Sequence, residues 1–142
     1  MNLVNLEQAS KAYGERPLLD RVSLGVTAGD RIGLVGRNGT GKTTLLGALA
    51  GTTELDSGRS TRTRGITVGY VSQSQPPSGR VRDLVFGTLS EHEWAADPRS
   101  RSVIGALLAD VDLDAEVSRL SGGERRRTML AAVLRADDDL LL

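Results

Sequence analysis

The chain has 142 residues, with 18 basic and 18 acidic side chains, no net charge and no cysteine. This length corresponds to one domain, and 39% hydrophobic with 25% charged residues is typical of a globular protein rather than a disordered or fibrous one. The composition excludes disulfides, thiolate metal sites and, because all apolar runs are short, membrane-spanning helices. The amino terminus lacks the features of a signal peptide, which predicts a cytosolic protein.

The first part of the chain predicts an antiparallel β layer followed by a strand, a loop and a helix. Residues 3–6 begin one strand, and residues 22–27 alternate apolar and polar side chains with a period of two. Residues 31–35 predict a short apolar strand that leads into a glycine-rich loop. Residues 42–50 place leucine and alanine at four-residue spacing and end before Gly51, which predicts a helix with a glycine stop.

The second part predicts two further strands and then mostly helix. Residues 58–62 and 66–71 predict strands on either side of a turn at Arg64-Gly65. Residues 76–119 predict a small helical subdomain, because helix-compatible pieces alternate there with proline and glycine. Residues 123–136 predict one helix. We expect one face of this helix to carry Met129, Ala132, Val133 and Ala136.

Residues 36–43 match the phosphate-loop pattern G-x-x-x-x-G-K-[ST] and lie between a predicted strand and a predicted helix. The matching residues are Gly36, Arg37, Asn38, Gly39, Thr40, Gly41, Lys42 and Thr43. Glycines allow successive N–H groups to turn toward a phosphate, and the following helix points its positive end at the same place. Lys42 supplies a charge for the terminal phosphates, and the hydroxyl of Thr43 is a ligand for Mg²⁺. We assign Thr44 to the same nucleotide site.

A second glycine motif, Leu120-Ser121-Gly122-Gly123-Glu124, stands just ahead of the last predicted helix. Together with the phosphate loop it resembles the signature of ATP-binding cassette (ABC) ATPases, over essentially the whole chain. The resemblance implies an α/β P-loop NTPase fold with an antiparallel β layer, a mixed α/β core and a small helical subdomain. It divides the chain into a nucleotide-binding core at about 1–75, a helical subdomain at 76–119 and the signature motif with its helix at 120–142.

The resemblance implies binding roles for further residues. Tyr13 occupies the position of an aromatic residue that stacks on adenine, and Gln73 that of a glutamine that senses the γ-phosphate and Mg²⁺. Residues 121–124 would face the γ-phosphate of an ATP held by a second cassette, which is the expected partner. Each residue also has a simpler interpretation: Tyr13 fills space at a strand end, Gln73 is a polar loop residue, and Ser121 is a helix N-cap.

Three arginines, Arg125, Arg126 and Arg127, lie at the first turn of the last predicted helix, where cations oppose the helix dipole. A nearby anion would offset this effect. We interpret at least two of the three as a solvated cationic face.

The catalytic carboxylates of the family have no counterpart in the sequence. In the family, the strand after the signature helix ends in an Asp-Glu pair that holds Mg²⁺ and orients the attacking water. Here residues 140–142 are leucines, and the aspartates at 137–139 precede that strand. We therefore expect an incomplete cassette with no catalytic residue, marginal stability and no ATP turnover by this chain alone.

The particular residues within these motifs are most similar to those of the first cassette of an ABC-F protein. This similarity rests on Gly36-Arg37-Asn38-Gly39, on the glutamate that closes the signature and on the opening residues 2–7. ABC-F proteins are twin-cassette ATPases, many of which act on the ribosome in translation or antibiotic resistance. Two alternatives stay open: the nucleotide-binding subunit of a membrane transporter, and a truncated remnant that at most binds nucleotide.

Overall fold

The computed structural model describes residues 1–72 and 78–142, which form two compact units. One unit comprises Met1–Val68 with Leu142, and the other comprises Gly69–Leu141. Gln73 lies outside the described residues, so its role in sensing nucleotide stays a prediction. Within the described ranges, no helix combines the length and the apolar character needed to cross a bilayer.

The first unit is built on a three-stranded antiparallel sheet. Its strands are β1 (Asn2–Tyr13), β2 (Arg16–Thr27) and β3 (Ser57–Arg62), in the order β2-β1-β3. The predicted antiparallel layer is therefore confirmed, with strands longer than their apolar runs. In β2 the alternation predicted from the sequence holds, since Val26 is buried while its neighbour Thr27 is exposed.

The predicted strand at residues 31–35 is wrong. The backbone there is irregular, and Ile32, Leu34 and Val35 are 56%, 40% and 95% exposed. A strand requires a neighbouring strand to satisfy its backbone groups, and no strand in the described part of the chain pairs with these residues. An apolar run of this kind forms a strand only where a neighbouring strand is present to pair with it.

The first helix, α1, spans Lys42–Ala50, as predicted. It ends at Gly51, which has a left-handed φ of 69° and donates its N–H to the carbonyl oxygens of Ala48 and Gly47. The helix packs against β1 and β2, and its buried residues Ala48 and Leu49 join the apolar side chains of the sheet. This packing holds α1, which follows the glycine-rich loop, against the sheet of the first unit.

The second unit consists mainly of short helices around its own apolar core. The helices are α2 (Val81–Phe86), α3 (Glu91–Ala96), α4 (Pro98–Val103), a π-helical turn (Ile104–Leu108), a 3-10 turn (Val117–Arg119) and α5 (Gly122–Ala136). The core residues are Val81, Val85, Phe86, Leu108, Val111, Val117 and Ala131. Two short strands, β4 (Val68–Gly69) and β5 (Leu140–Leu141), pair with each other.

Two sequence predictions need correction in this part of the chain. The strand predicted at 66–71 is reduced to the two residues of β4. In α5 the fully buried residues are Thr128 and Ala131, whereas Ala136 from the predicted apolar face is exposed. The helix contacts α2, α4 and the π-helical turn, so its buried side is set by several neighbours and not by its most apolar stripe.

Candidate functional site

Two of the three glycines in residues 36–41 have backbone conformations that favour glycine. Gly39 and Gly41 have φ values of +78° and +94°, a region that side chains with a Cβ rarely adopt. A Cβ at Gly41 would also lie 2.6 Å from the carbonyl oxygen of Leu18 in β2. The loop can therefore approach the sheet this closely only with glycine at that position.

Lys42 folds back over this loop. Its Nζ donates hydrogen bonds to the carbonyl oxygens of Gly36 at 2.6 Å and Arg37 at 2.7 Å. The carbonyl of Arg37 also accepts a hydrogen bond from the hydroxyl of Thr40 at 2.7 Å. The ammonium is thus bound to the first two residues of the loop, where an anion would compete with the two carbonyl oxygens for it.

The first turn of α1 is open toward the loop. Gly41 is the N-cap residue, no side chain of the described residues caps the turn, and no acidic residue lies within it. Its N–H groups and the positive end of the helix dipole are therefore available to an anion. Thr43 is exposed and Thr44 is buried, while Asn38 lies at the exposed tip of the loop.

The exposed hydroxyl of Thr43 is compatible with Mg²⁺, which usually takes few protein ligands and keeps water and phosphate oxygens as the others. Among the residues that the structure describes, no group of three or more histidines or carboxylates could hold a metal ion.

Tyr13 ends β1 with its side chain 60% exposed, so the interpretation of Tyr13 as a space-filling residue does not fit. It pairs in register with Arg16 across the turn that joins β1 to β2. The Nη2 of Arg16 donates a hydrogen bond to the carbonyl oxygen of Gly39 at 3.1 Å. The turn that carries the exposed aromatic ring is thereby tied to the glycine-rich loop.

Two residues beside Tyr13 were missed by the sequence reasoning. The Nζ of Lys11 lies 5.5 Å from the centroid of the Tyr13 ring and 2.8 Å from a carboxylate oxygen of Asp56. The hydrogen bond between them raises the pKa of the Lys11 ammonium and lowers that of the Asp56 carboxyl. They are 45 positions apart, and neither belongs to a motif, so no local signal could have found the pair.

Ser121 caps α5, as one of its two interpretations predicted. The N–H of Glu124 donates to the Ser121 hydroxyl at 3.3 Å, and the N–H of Ser121 donates to the Glu124 carboxylate at 2.8 Å. The hydrogen bonds from the side chain and backbone of Ser121 hold the pKa of Glu124 below its usual value. Gly122 and Gly123 are exposed, with open space where a Cβ would stand.

The interpretation of at least two of the three arginines as a solvated face is wrong. Arg127 makes a two-pronged ion pair with Asp110 at 2.7 and 3.0 Å, and this hydrogen bonding lowers the pKa of the Asp110 carboxyl. Arg125 donates to the carbonyl oxygens of Leu120 and Ser118. Of the three, only Arg126 is exposed, whereas Arg125 and Arg127 are partly buried. Asp110, which the sequence did not identify as a partner, offsets the charge of Arg127, and Glu124 is a second anion in the first turn of α5.

Residues 19–142 match the family model described as ABC transporter. The chain belongs to this family. It is 39% identical over 147 aligned residues to the zinc import ATP-binding protein ZnuC of Marinobacter nauticus, an alignment that covers 99% of the chain and 54% of that protein. It is 35% identical over 142 residues to the probable ATP-binding protein YheS of Escherichia coli K12, covering 99% of the chain and 22% of that protein.

The fold is also that of the family. The chain superimposes with a TM-score of 0.80 and 32% identity on a structure described as the complex of archaeal ribosomal stalk protein aP1 and archaeal ribosome recycling factor aABCE1, covering 99% of the chain and 27% of that one. The predicted ABC-type P-loop NTPase fold, with an antiparallel sheet and mixed α/β structure, is thereby confirmed. The chain spans about half the length of the ZnuC relative and a smaller part of the others.

Proposed function

We propose that this chain binds ATP with Mg²⁺ through residues 36–44. The observation that carries the proposal is the position of the Lys42 ammonium, held over the loop by two carbonyl oxygens at 2.6 and 2.7 Å. A triphosphate entering the loop exchanges these two neutral acceptors for charged oxygens, which form stronger hydrogen bonds with an ammonium. The loop N–H groups and the open first turn of α1 then surround the β- and γ-phosphates.

The remaining residues of the site act on different parts of the Mg-nucleotide. The exposed ring of Tyr13 stacks on the adenine, and the Arg16 contact with Gly39 sets the distance between base and phosphates. Thr43 gives Mg²⁺ a hydroxyl ligand, and Gln73 is the second predicted ligand. Bound Mg²⁺ neutralises charge on the β- and γ-phosphates.

The signature residues serve a second nucleotide. The capping box between Ser121 and Glu124 presents Gly122 and Gly123 with unobstructed backbone at the start of α5. We propose that residues 121–124 contact the γ-phosphate of an ATP bound to another cassette. The partner of this chain is accordingly a second ABC cassette, either in the same polypeptide or in a dimer.

Isothermal titration of the chain with Mg-ATP tests the proposed site. We expect saturable binding with one nucleotide per chain, abolished in Lys42→Ala. Arg64→Ala is the matched control, because this arginine is exposed in the turn after β3, away from the loop in sequence. Binding that survives in Lys42→Ala, or is lost equally in Arg64→Ala, would contradict the assignment.

Two candidates for the function of the whole protein each rest on a separate observation. The first is an ABC-F ATPase acting on the ribosome in translation or antibiotic resistance. The residues within its motifs and the 35% identity to the probable ATP-binding protein YheS support this candidate. The second is the nucleotide-binding subunit of a membrane transporter, supported by the 39% identity to a zinc import ATP-binding protein.

Fractionation of the cells that make the protein separates these candidates. An ABC-F protein sediments with ribosomes when ATP hydrolysis is blocked by a non-hydrolysable analogue, whereas a transporter subunit fractionates with membranes regardless of the analogue. A second phosphate loop encoded downstream would favour ABC-F, and a neighbouring gene for a membrane protein would favour the transporter.

A further inference from the structure

Asp56 holds the last residues of β1 at three points. Its backbone N–H donates to the carbonyl oxygen of Ser10 at 2.9 Å. Its carboxylate accepts one hydrogen bond from the backbone N–H of Ala12 and another from the Nζ of Lys11, both at 2.8 Å. One residue directly before β3 therefore fixes three consecutive residues that lead directly to Tyr13.

The same ion pair places a cation against the Tyr13 ring. The Lys11 ammonium lies 5.5 Å from the ring centroid, within the range of a cation–π contact. Its side chain is only 17% exposed, so it is a covered and fixed neighbour of the ring, although the ring itself is 60% exposed. Lys11 occupies one side of the ring and leaves the rest open to solvent.

We propose that Asp56 and Lys11 are positioning residues for the nucleobase: they hold the Tyr13 ring in the orientation in which it stacks on a purine. This inference rests on the proposed ATP site. It adds the two residues that hold the Tyr13 ring of that site in place. Fixing the ring before the base arrives lowers the entropy lost on binding, so the pair strengthens binding without touching the nucleotide. Its effect is confined to the base, because the triphosphate is held by the separate contacts of residues 36–44.

The experiment compares Mg-ATP with Mg-tripolyphosphate, which has the phosphates without the base. For Lys11→Gln and Asp56→Asn we expect ATP affinity to fall about two- to fivefold, the size of an exposed cation–π contact, while tripolyphosphate affinity is unchanged. We expect Tyr13→Ala likewise to lower the affinity for ATP and to leave the affinity for tripolyphosphate unchanged. Combining Tyr13→Ala with Asp56→Asn gives no further loss, since the ring on which Asp56 acts is already absent.

Glu7→Gln is the matched control. Glu7 forms an ion pair with Arg59 of β3 at 2.6 Å, whereas Asp56 lies directly before β3. The Glu7 pair is at a different position along β1, away from its Tyr13 end. Both variants remove one carboxylate of an ion pair that ties β1 to residues 56–62, so a merely structural role predicts equal changes in melting temperature and in binding. We expect the ratio of ATP to tripolyphosphate affinity to fall in Asp56→Asn and to stay at its original value in Glu7→Gln.

Three results would overturn the inference while leaving the ATP site intact. They are an unchanged ratio in Asp56→Asn, an equal fall in Glu7→Gln, and full additivity of Tyr13→Ala with Asp56→Asn. An original chain that binds neither ATP nor tripolyphosphate would instead refute the proposed function itself, and the inference with it.

Discussion

Arg16 and Gly39 are joined by a hydrogen bond of 3.1 Å, from the guanidinium of the one to the carbonyl oxygen of the other. This bond connects the turn after Tyr13 to the middle of the phosphate loop, across 23 positions of sequence. The two ends of the proposed nucleotide site, the aromatic ring and the loop, thus belong to one hydrogen-bonded arrangement within the first unit.

Removal of this bond should weaken nucleotide binding. In Arg16→Ala the loop and the turn lose their link, and we expect Mg-ATP affinity to fall about two- to tenfold, as for one lost hydrogen bond. Isothermal titration measures the change, and Arg64→Ala serves again as the control. An affinity in Arg16→Ala equal to that of the control would show that the link has no role in binding.

The two glycines with positive φ in the loop should differ in their tolerance of alanine. Gly39→Ala introduces only backbone strain, because a Cβ there meets nothing within 4 Å, and we expect a loss of about 1 to 2 kcal/mol in the free energy of unfolding. Gly41→Ala adds a contact of 2.6 Å with the Leu18 carbonyl oxygen, so its loss should be larger. Urea denaturation of both variants checks the order, and the reverse order would show that the loop is not packed on β2 as described.

The cap of α5 should contribute measurably to stability. Ser121→Ala removes the hydroxyl that accepts the N–H of Glu124, and we expect the free energy of unfolding to fall by about 0.5 to 2 kcal/mol. Ser118→Ala is the control, since this exposed serine lies in the preceding 3-10 turn and contributes only its backbone carbonyl to Arg125. Equal losses in the two variants would argue against the cap.

Stability should decrease in acid. Hydrogen bonds lower the pKa of several carboxyl groups, namely Asp56, Glu93, Asp97, Asp110 and Glu124. A lowered pKa in the folded state means that the unfolded chain binds more protons in acid. The stabilisation is therefore complete above the ordinary carboxyl pKa of about 4 and is lost as the pH falls below it.

Melting temperatures measured from pH 7 to pH 3 test this expectation. We expect little change down to about pH 5 and then a continuous fall, with a shallower fall in Asp110→Asn, which lacks the ion pair with Arg127. A melting temperature that stays constant or rises below pH 4 would contradict the sign of these shifts.

The elements that the sequence predicted well are those with local causes. Helix α1 has its bounds fixed by Gly41 and Gly51, and the cap of α5 depends on two residues three positions apart, Ser121 and Glu124. The alternation in β2 likewise follows from neighbouring residues. In each case the residues that form the pattern also stabilise the element, so the local sequence is enough to identify it.

The features that the sequence could not give depend on distant parts of the chain. Residues 31–35 have a strand composition but no strand beside them in the described structure. Asp56 reaches back 45 positions to Lys11, and Asp110 pairs with an arginine 17 positions away. Ion pairs of this kind produce no periodic pattern in the sequence, because any acidic residue at the right place in space could form them.

A crystal structure of the chain with Mg²⁺ and a non-hydrolysable ATP analogue tests the central claim most directly. We predict that the β- and γ-phosphates lie within hydrogen-bonding distance of the N–H groups of residues 39–43, and that the Lys42 ammonium has left the carbonyl oxygens of Gly36 and Arg37 for the phosphates. An analogue bound elsewhere, with Lys42 still on those two carbonyls, would contradict the account.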